Sequence, residues 1–504
     1  MLAKAYSNAV NGIDGYLVEV EIDLSQGLPT FNIVGLPDTA VREAKERVKA
    51  AIKNSGFKLP IKRITVNLAP ADIRKKGPIF DLPIAVGILA AFEMIEREKL
   101  ADYTLVGELS LDGRIKEVTG VLPMALAAKE EGKVGMILPH KNAKEAAVVD
   151  GIEVIAVKDL TEVIEFFNQA EKNAVPVNTN YHLKPDYKID YQDVKGQENA
   201  KRALEVAAAG RHNLIMIGPP GAGKTMLAKR LPTILPPLTK DEALEVTKLF
   251  SIVNELPPKQ ALIKTRPFRS PHHTISQAGL IGGGRIPKPG EISLAHHGVL
   301  FLDELTEFKR QVLEILRQPL EEKEITLTRA AVTLSYPCQF LLVAALNPCP
   351  CGYYGSGGQK CTCSSYQRSK YLSKISGPIL DRVDIHLEVP YVNADELTNY
   401  RPGKSSTQIK GKIMTARKIQ LDRFKGMQLN YNAEMSSTEV EKYCRLDRKA
   451  KKLIKNSIKR LNLSARAYDR ILKLSRTIAD LAQDKIINVD HLGEAIQYRS
   501  LDRL

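Results

Sequence analysis

The sequence predicts an α/β protein built around a parallel sheet that opens on a phosphate-binding loop. Three observations predict it. The short apolar run Leu214-Ile215-Met216-Ile217 leads into Gly218-Pro219-Pro220-Gly221-Ala222-Gly223-Lys224-Thr225, and Met226 to Leu231 then starts a helix. This is the strand–loop–helix setting that the pattern G-x-x-x-x-G-K-[ST] needs. A second apolar strand, Gly298 to Leu302, ends in Asp303-Glu304, and the composition turns strongly basic after Arg401-Pro402-Gly403.

Residues 1–170 read as a mixed α/β unit without a nucleotide motif of its own. Tyr16 to Leu24 alternates in polarity like a half-buried strand. Helical patterns follow at Thr39 to Asn54 and Pro83 to Glu96, with short strands at Ile64 to Leu68, Tyr103 to Gly107, Gly135 to Leu138 and Ile152 to Ala156. Residues 171–189 are polar, carry Pro176 and Pro185, and read as a linker. The core is expected over 190–400. Within it, Gly279 to Gly290 is too rich in glycine and proline for a helix and reads as a protruding hairpin. A second hairpin is expected where Ile325 to Arg329 turns back through Val332 to Ser335. A third apolar strand, Phe340 to Leu346, ends at Asn347, and residues 401–504 read as basic helices.

The chemistry follows from these residue types. Glycines let backbone N–H groups wrap the phosphates, so Gly218 to Gly223 form the cradle. Lys224 reaches the β- and γ-phosphates of ATP, and the Thr225 hydroxyl holds Mg2+. Asp303 at a neighbouring strand end completes the Mg2+ shell, Glu304 polarises a water, and the Asn347 amide holds that water. Taken alone, Asp303 and Glu304 would be two solvated acids and Asn347 a strand cap. The upstream loop favours the site.

With 504 residues, 44% hydrophobic and 26% charged, the chain has the profile of about three soluble domains. Its longest apolar run, Leu82 to Phe92, is too short to span a bilayer, and no signal-peptide pattern is visible. The expectation is a cytoplasmic protein with no membrane partner. Net charge is +15, and residues 401–504 hold 24 Lys and Arg against 11 Asp and Glu. So regional an excess favours a nucleic acid partner over a merely solvated helix face.

Four of the six cysteines cluster as Cys349-Pro350-Cys351 and Cys361-Thr362-Cys363. Four thiols within 349–363 can close a tetrahedral site for structural Zn2+, although each pair is C-x-C rather than the usual wider spacing. Reduced, unliganded thiols are the other reading.

Together these motifs resemble the magnesium-chelatase-like branch of the AAA+ ATPases, and the whole chain resembles the YifB/ComM family. The resemblance rests on Gly218 to Thr225, Ser270-Pro271-His272-His273, Leu302-Asp303-Glu304, Asn347 to Gly352, Gly377 to Asp384 and Ser464-Ala465-Arg466-Ala467. It implies a homo-hexameric ring with ATP between subunits and a C-terminal helical lid. It also implies Arg382 as the arginine finger and Arg466 as a second arginine sensor, acting in cis or in trans. The Gly282 to Pro289 hairpin corresponds to pore hairpins of the family, which makes Arg285 and Lys288 candidates to touch DNA; a mobile exposed loop is the other reading.

Residues 1–170 resemble the Lon proteolytic domain. Where that family has its catalytic serine, Lys76-Gly77-Pro78-Ile79 places Ile79, and the dyad lysine falls at Leu122. An aliphatic side chain can neither attack a carbonyl nor take a proton, so this domain is expected to be a scaffold or a platform for a protein partner. The resemblance implies an ATP-driven DNA motor, helicase or branch-migration type, acting in homologous recombination and DNA integration during natural transformation. The alternatives are a metal-chelatase motor subunit, against which residues 1–170 and the basic tail count, or an AAA+ remodeller of a protein partner.

Overall fold

The structure is a computed structural model that describes the chain apart from residues 60, 169–184, 186, 258–259, 285–286, 330–331, 356–359, 376, 392–402, 462 and 500–504, and the side chains of 329, 332 and 378. Two compact units emerge. One comprises Met1–His182 with Lys240–Ile263, the other Leu183–Thr239 with Lys264–Leu504. Most of the expected linker, 171–184 and 186, lies outside the described residues, as does Arg285.

In the first unit a seven-stranded mixed sheet is built from β1 (Leu2–Asn11), β2 (Asp14–Ser25), β3 (Phe31–Val34), β4 (Arg63–Ala69), β5 (Tyr103–Leu105), β6 (Gly135–Pro139) and β7 (Glu153–Val157), in the order β3-β4-β2-β1-β5-β6-β7. The β2 alternation predicted for Tyr16 to Leu24 holds, with Val18, Val20, Ile22 and Leu24 buried. Helix α1 (Thr39–Asn54) starts where the Asp38 carboxylate accepts from Val41 N at 2.9 Å, and it buries Val41, Ala44, Val48, Ala51 and Ile52 along one face.

Helix α2 spans Asp81–Ala91, two residues earlier than expected at its start and five shorter at its end, and every residue of it is buried. The long apolar run is therefore a core helix. Among the described residues no helix is long and apolar enough to cross a membrane. Asp81 is fully buried and takes a forked pair of bonds from Arg47, Nε at 2.6 Å and Nη2 at 2.9 Å. Helix α3 (Val121–Glu130) packs on β1 and β2, with Gly15 set against Pro123 and Ala127.

Helix α4 (Lys240–Val253) was expected inside the core that begins near residue 190, but it packs on α3 in the first unit. Its Ser251 hydroxyl donates to the Glu145 carboxylate, which also accepts from Leu122 N at 2.9 Å. Burial pushes the Glu145 carboxyl upward against these bonds.

The second unit has a five-stranded, wholly parallel sheet. Its strands are β8 (Leu214–Ile217), β9 (Phe268–Arg269), β10 (Val299–Leu302), β11 (Leu341–Leu346) and β12 (Ile385–Glu388), ordered β9-β10-β11-β8-β12. Strands β8, β10 and β11 are buried almost throughout, as a parallel sheet covered on both faces requires. Both expected hairpins form. Gly282–Gly283 pairs with Lys288–Pro289, and Glu324–Arg329 pairs with Val332–Pro337. Gly279 to Ile281, expected in the first hairpin, instead ends a short helix, because the Ser276 hydroxyl accepts from Gly279 N at 3.0 Å.

Long helices close this unit: α5 (Ser406–Arg423), α6 (Arg448–Leu461), α7 (Ala465–Leu481) and α8 (Val489–Gln497). Helix α6 carries seven Lys and Arg and no acid over 14 residues and buries only Ala450 and Ile454. Asp480, fully buried on α7, accepts from Arg423 Nη1 at 2.7 Å, Arg476 Nε at 3.0 Å and Asn432 Nδ2 at 2.8 Å, which locks the helices into one arrangement.

Candidate nucleotide site and cysteine cluster

Because the sheet is parallel, its strands end along one edge, where open α/β sheets bind their ligands. Ile217 is paired with Leu346, and Gly218 N donates to Leu346 O at 3.2 Å, so the phosphate loop and Asn347 leave the sheet at the same level. Gly218 is fixed by space. A Cβ there would stand 2.2 Å from the carbonyl oxygen of Val389. Gly221 and Gly223 have φ of 78° and 87°, which side chains rarely adopt. Helix α9 (Lys224–Ile234) follows directly and turns its first N–H groups toward the loop.

The side chains converge as the spacing predicts. Thr225 Oγ1 donates to Asp303 Oδ2 at 2.7 Å. Lys224 is buried, and its ammonium rests on the carbonyl oxygens of Gly218 at 2.6 Å and Pro219 at 2.9 Å and on Asn347 Oδ1 at 3.2 Å. Burial pushes its pKa down, opposed by the nearby charges of Asp303 and Glu304. Glu304 has φ of 51°, a left-handed backbone that aims its half-exposed carboxylate out of the strand line.

One contact was not legible. His273 Nδ1 lies 3.4 Å from Glu304 Oε2, and its ring stacks on His272 at 4.1 Å between centroids. The sequence places His273 in a distinctive motif, but no spacing rule points it at Glu304.

Arg382 and Arg466 sit together elsewhere. The Arg382 guanidinium pairs with Glu321, and Arg466, the second residue of α7 and largely exposed, lies 4.0 Å from Asp381. Lys288 is exposed, paired with Gly283 on the turn side of its hairpin.

Oxygen donors at Thr225 and Asp303 suit Mg2+, and the N–H cradle with Lys224 suits a triphosphate. The four clustered sulfurs lie within 4.8 Å of one another. Cys349 and Cys351 are 3.3 Å apart, Cys349 and Cys361 3.7 Å, and Cys351 and Cys361 3.6 Å. A disulfide needs about 2.05 Å, whereas four thiolates about 2.3 Å from one zinc have edges of roughly 3.8 Å. The donor set therefore fits Zn2+. Backbone N–H groups of Tyr353 and Thr362 pull the Cys351 thiol down to about 5, and burial pushes Cys349 up to about 11. Cys338 and Cys444 are isolated and buried, each pushed up to about 12 by that burial, as inert structural thiols are.

Three family models cover most of the chain. Magnesium chelatase, subunit ChlI, matches residues 190–397; Subunit ChlI of Mg-chelatase matches 20–142; and the ChlI C-terminal model matches 403–499. The chain is 46% identical to the competence protein ComM of Haemophilus influenzae over 100% of this chain and 98% of that protein. The chain belongs to the ComM/YifB family of magnesium-chelatase-like AAA+ proteins. It is also 44% identical to YifB of Escherichia coli, again over 100% of this chain and 98% of the relative. A shorter match, 30% identical over 31% of this chain and 32% of the relative, links it to Lon protease 2 of Bacillus subtilis. In this Lon-like unit Ile79 is half-buried in a short turn at Pro78–Phe80, and Leu122 is fully buried at the start of α3.

Proposed function

We propose that this AAA+ protein is a ring-shaped, ATP-hydrolysing DNA motor of the helicase or branch-migration type, working in homologous recombination and DNA integration. The observation that carries the reading is the convergence of Lys224, Thr225, Asp303 and Asn347 at one sheet edge, in a chain alike from end to end to a competence protein.

The backbone of Gly218, Pro219, Pro220, Gly221, Ala222 and Gly223 holds the phosphates of ATP, and Lys224 turns from its loop carbonyls to the β- and γ-oxygens. Thr225 and Asp303 hold Mg2+, which when bound neutralises charge developing on the phosphates. Glu304 takes a proton from the attacking water while the Asn347 amide orients it. Arg382, released from Glu321, reaches the neighbouring subunit's γ-phosphate in a homo-hexamer. Its planar, permanent charge suits that task. Arg466 acts as a second sensor. Arg285 and Lys288 contact DNA phosphates in the pore, and the seven cations of α6 add a further basic surface. Cys349, Cys351, Cys361 and Cys363 hold a structural zinc. The Lon-like unit, without a nucleophile at Ile79 or a base at Leu122, serves as a scaffold or docks a protein partner. Such a motor works in the cytoplasm.

The chelatase names of all three matching family models favour a second reading, a motor driving metal insertion through a separate partner. ATPase rate with and without a four-way DNA junction, with branch movement read on the same junction, separates the two. DNA-stimulated turnover with ATP-dependent branch movement supports the DNA motor. An ATPase indifferent to every DNA form overturns it in favour of a protein or chelatase partner.

A further inference from the structure

The cysteine cluster is not a remote decoration on the core. Cys349 follows Asn347 by two residues and is fully buried, so one side of the cluster is anchored at the end of β11. Gly352, one residue past Cys351, lies directly on the phosphate loop. It has φ of 87°, and a Cβ there would stand 2.8 Å from Pro220 Cδ and 2.9 Å from Pro220 Cγ. The loop's Pro220 therefore leans on a backbone that only glycine allows so close.

The far side of the cluster returns to the same place. Cys361 and Cys363 lead into the helix Ser365–Leu372, whose capping box is closed by Ser364 and Gln367. Arg368 of that helix donates to Cys363 O at 3.0 Å and covers the ring of Tyr354, 4.2 Å from its centroid. Tyr371 of the same helix is buried, close to Thr306 and to the backbone of Asn347. Thr306 is two residues past Glu304. Both arms of the cluster thus end beside Asn347, whose Oδ1 accepts from Lys224 at 3.2 Å.

We infer that the four-cysteine cluster is a strut of the nucleotide pocket: zinc bound at Cys349, Cys351, Cys361 and Cys363 fixes the Asn347 strand end and the Gly352–Pro220 contact, so that zinc occupancy and nucleotide affinity are thermodynamically linked. The inference deepens the zinc and ATP readings above and rests on both. Its physical basis is entropy. Without the tetrahedral knot, residues 349–363 lose the cross-link that holds Gly352 and Tyr371 in place, and nucleotide binding must then order them. Linkage is reciprocal, so ATP must hold zinc more tightly by the same factor that zinc tightens ATP. Gly352 and Tyr371 are the positioning residues that transmit it.

The test uses the full chain. Metal analysis establishes zinc stoichiometry, and a fluorescent ATP analogue with Mg2+ measures nucleotide affinity before and after chelation. Zinc release to a chelating dye is timed with and without ATP and Mg2+. The expected result is one zinc per chain, nucleotide affinity about tenfold weaker after stripping, and zinc release slowed by ATP, the usual size of such coupling. Gly352→Ala should weaken nucleotide binding while keeping zinc. Tyr371→Phe should keep both ligands and shrink the coupling factor. Since these variants and the release assay need no stripped protein, they decide the matter even if stripping unfolds the chain. Absence of zinc overturns the inference together with the zinc reading. Absence of nucleotide binding that Lys224→Ala would abolish overturns it together with the ATP reading. Zinc and nucleotide bound with release rates indifferent to ATP and Gly352→Ala binding normally would overturn the linkage alone.

Discussion

Lys224→Ala should separate binding from folding. The ammonium donates to three neutral oxygens, Gly218 O, Pro219 O and Asn347 Oδ1, and bonds no carboxylate among the described residues. Burial holds its pKa below the ordinary value, so the site disfavours the charged form relative to water. Removing it therefore breaks no ion pair and leaves no buried charge stranded; the cost is three acceptors short of a donor, about 1 kcal/mol once water enters. Two charge-assisted bonds to phosphate oxygens, at ~1.5–3 kcal/mol each, amount to ~3–6 kcal/mol of nucleotide affinity. That corresponds to roughly 10²- to 10⁴-fold in Kd. The assay is titration with a fluorescent ATP analogue beside thermal unfolding. The expected outcome is a melting temperature within about 3 °C of the parent and nucleotide binding beyond reach at micromolar concentration. Full ATPase activity in the variant would refute the assignment of the site, and collapse of the fold would refute the argument about the buried ammonium.

Arg382→Ala should leave nucleotide affinity nearly unchanged and lower ATPase turnover by about 10³-fold or more, the usual worth of an arginine finger; binding and single-turnover hydrolysis measured on one preparation check it. Arg47→Ala strands the fully buried Asp81 carboxylate and should destabilise the first unit by ~3–5 kcal/mol, read as a shifted denaturation midpoint with nucleotide binding retained. His386 is buried and held down to about 3, first by burial and then by the charge of Arg499. Neutral in the fold and protonated in the unfolded chain below its ordinary value of 6.5, it contributes stability above pH 6.5 that is lost as pH falls toward 3. The loss is about 2 kcal/mol by pH 5, and His386→Gln should flatten the pH dependence of urea midpoints between pH 7.5 and 5.

Much of the second unit was legible because its signals are local. A strand, a glycine loop and Lys224-Thr225 are contiguous, and the acids of Asp303-Glu304 end a run of four buried apolar residues, so strand ends alone bring Thr225, Asp303 and Asn347 together. The four cysteines were equally readable, since 15 residues of chain cannot carry them far apart. What could not be read depends on long-range packing. Nothing near Ser270 or His273 announces a carboxylate 31 residues away in sequence. The Gly279 to Ile281 segment looked unfit for a helix, yet a serine hydroxyl three residues earlier was enough to cap a short one. Helix α2 begins two residues early, at Asp81, which takes its bonds from Arg47, 34 residues away, a partner no local pattern records. The polarity pattern of Lys240 to Val253 says helix but not which unit buries it.

That last helix changes what counts as a separable piece of this protein. A fragment ending near residue 170 would carry every strand of the first sheet and still lack a wall, since the surface of α3 would be bare and Glu145 would lose the Ser251 hydroxyl. A nick in the chain around residues 169–184 would not free the first unit either, for Lys240–Ile263 remains threaded into the other unit at both of its ends. Each unit is made of two stretches of the chain, so a single cut does not separate them.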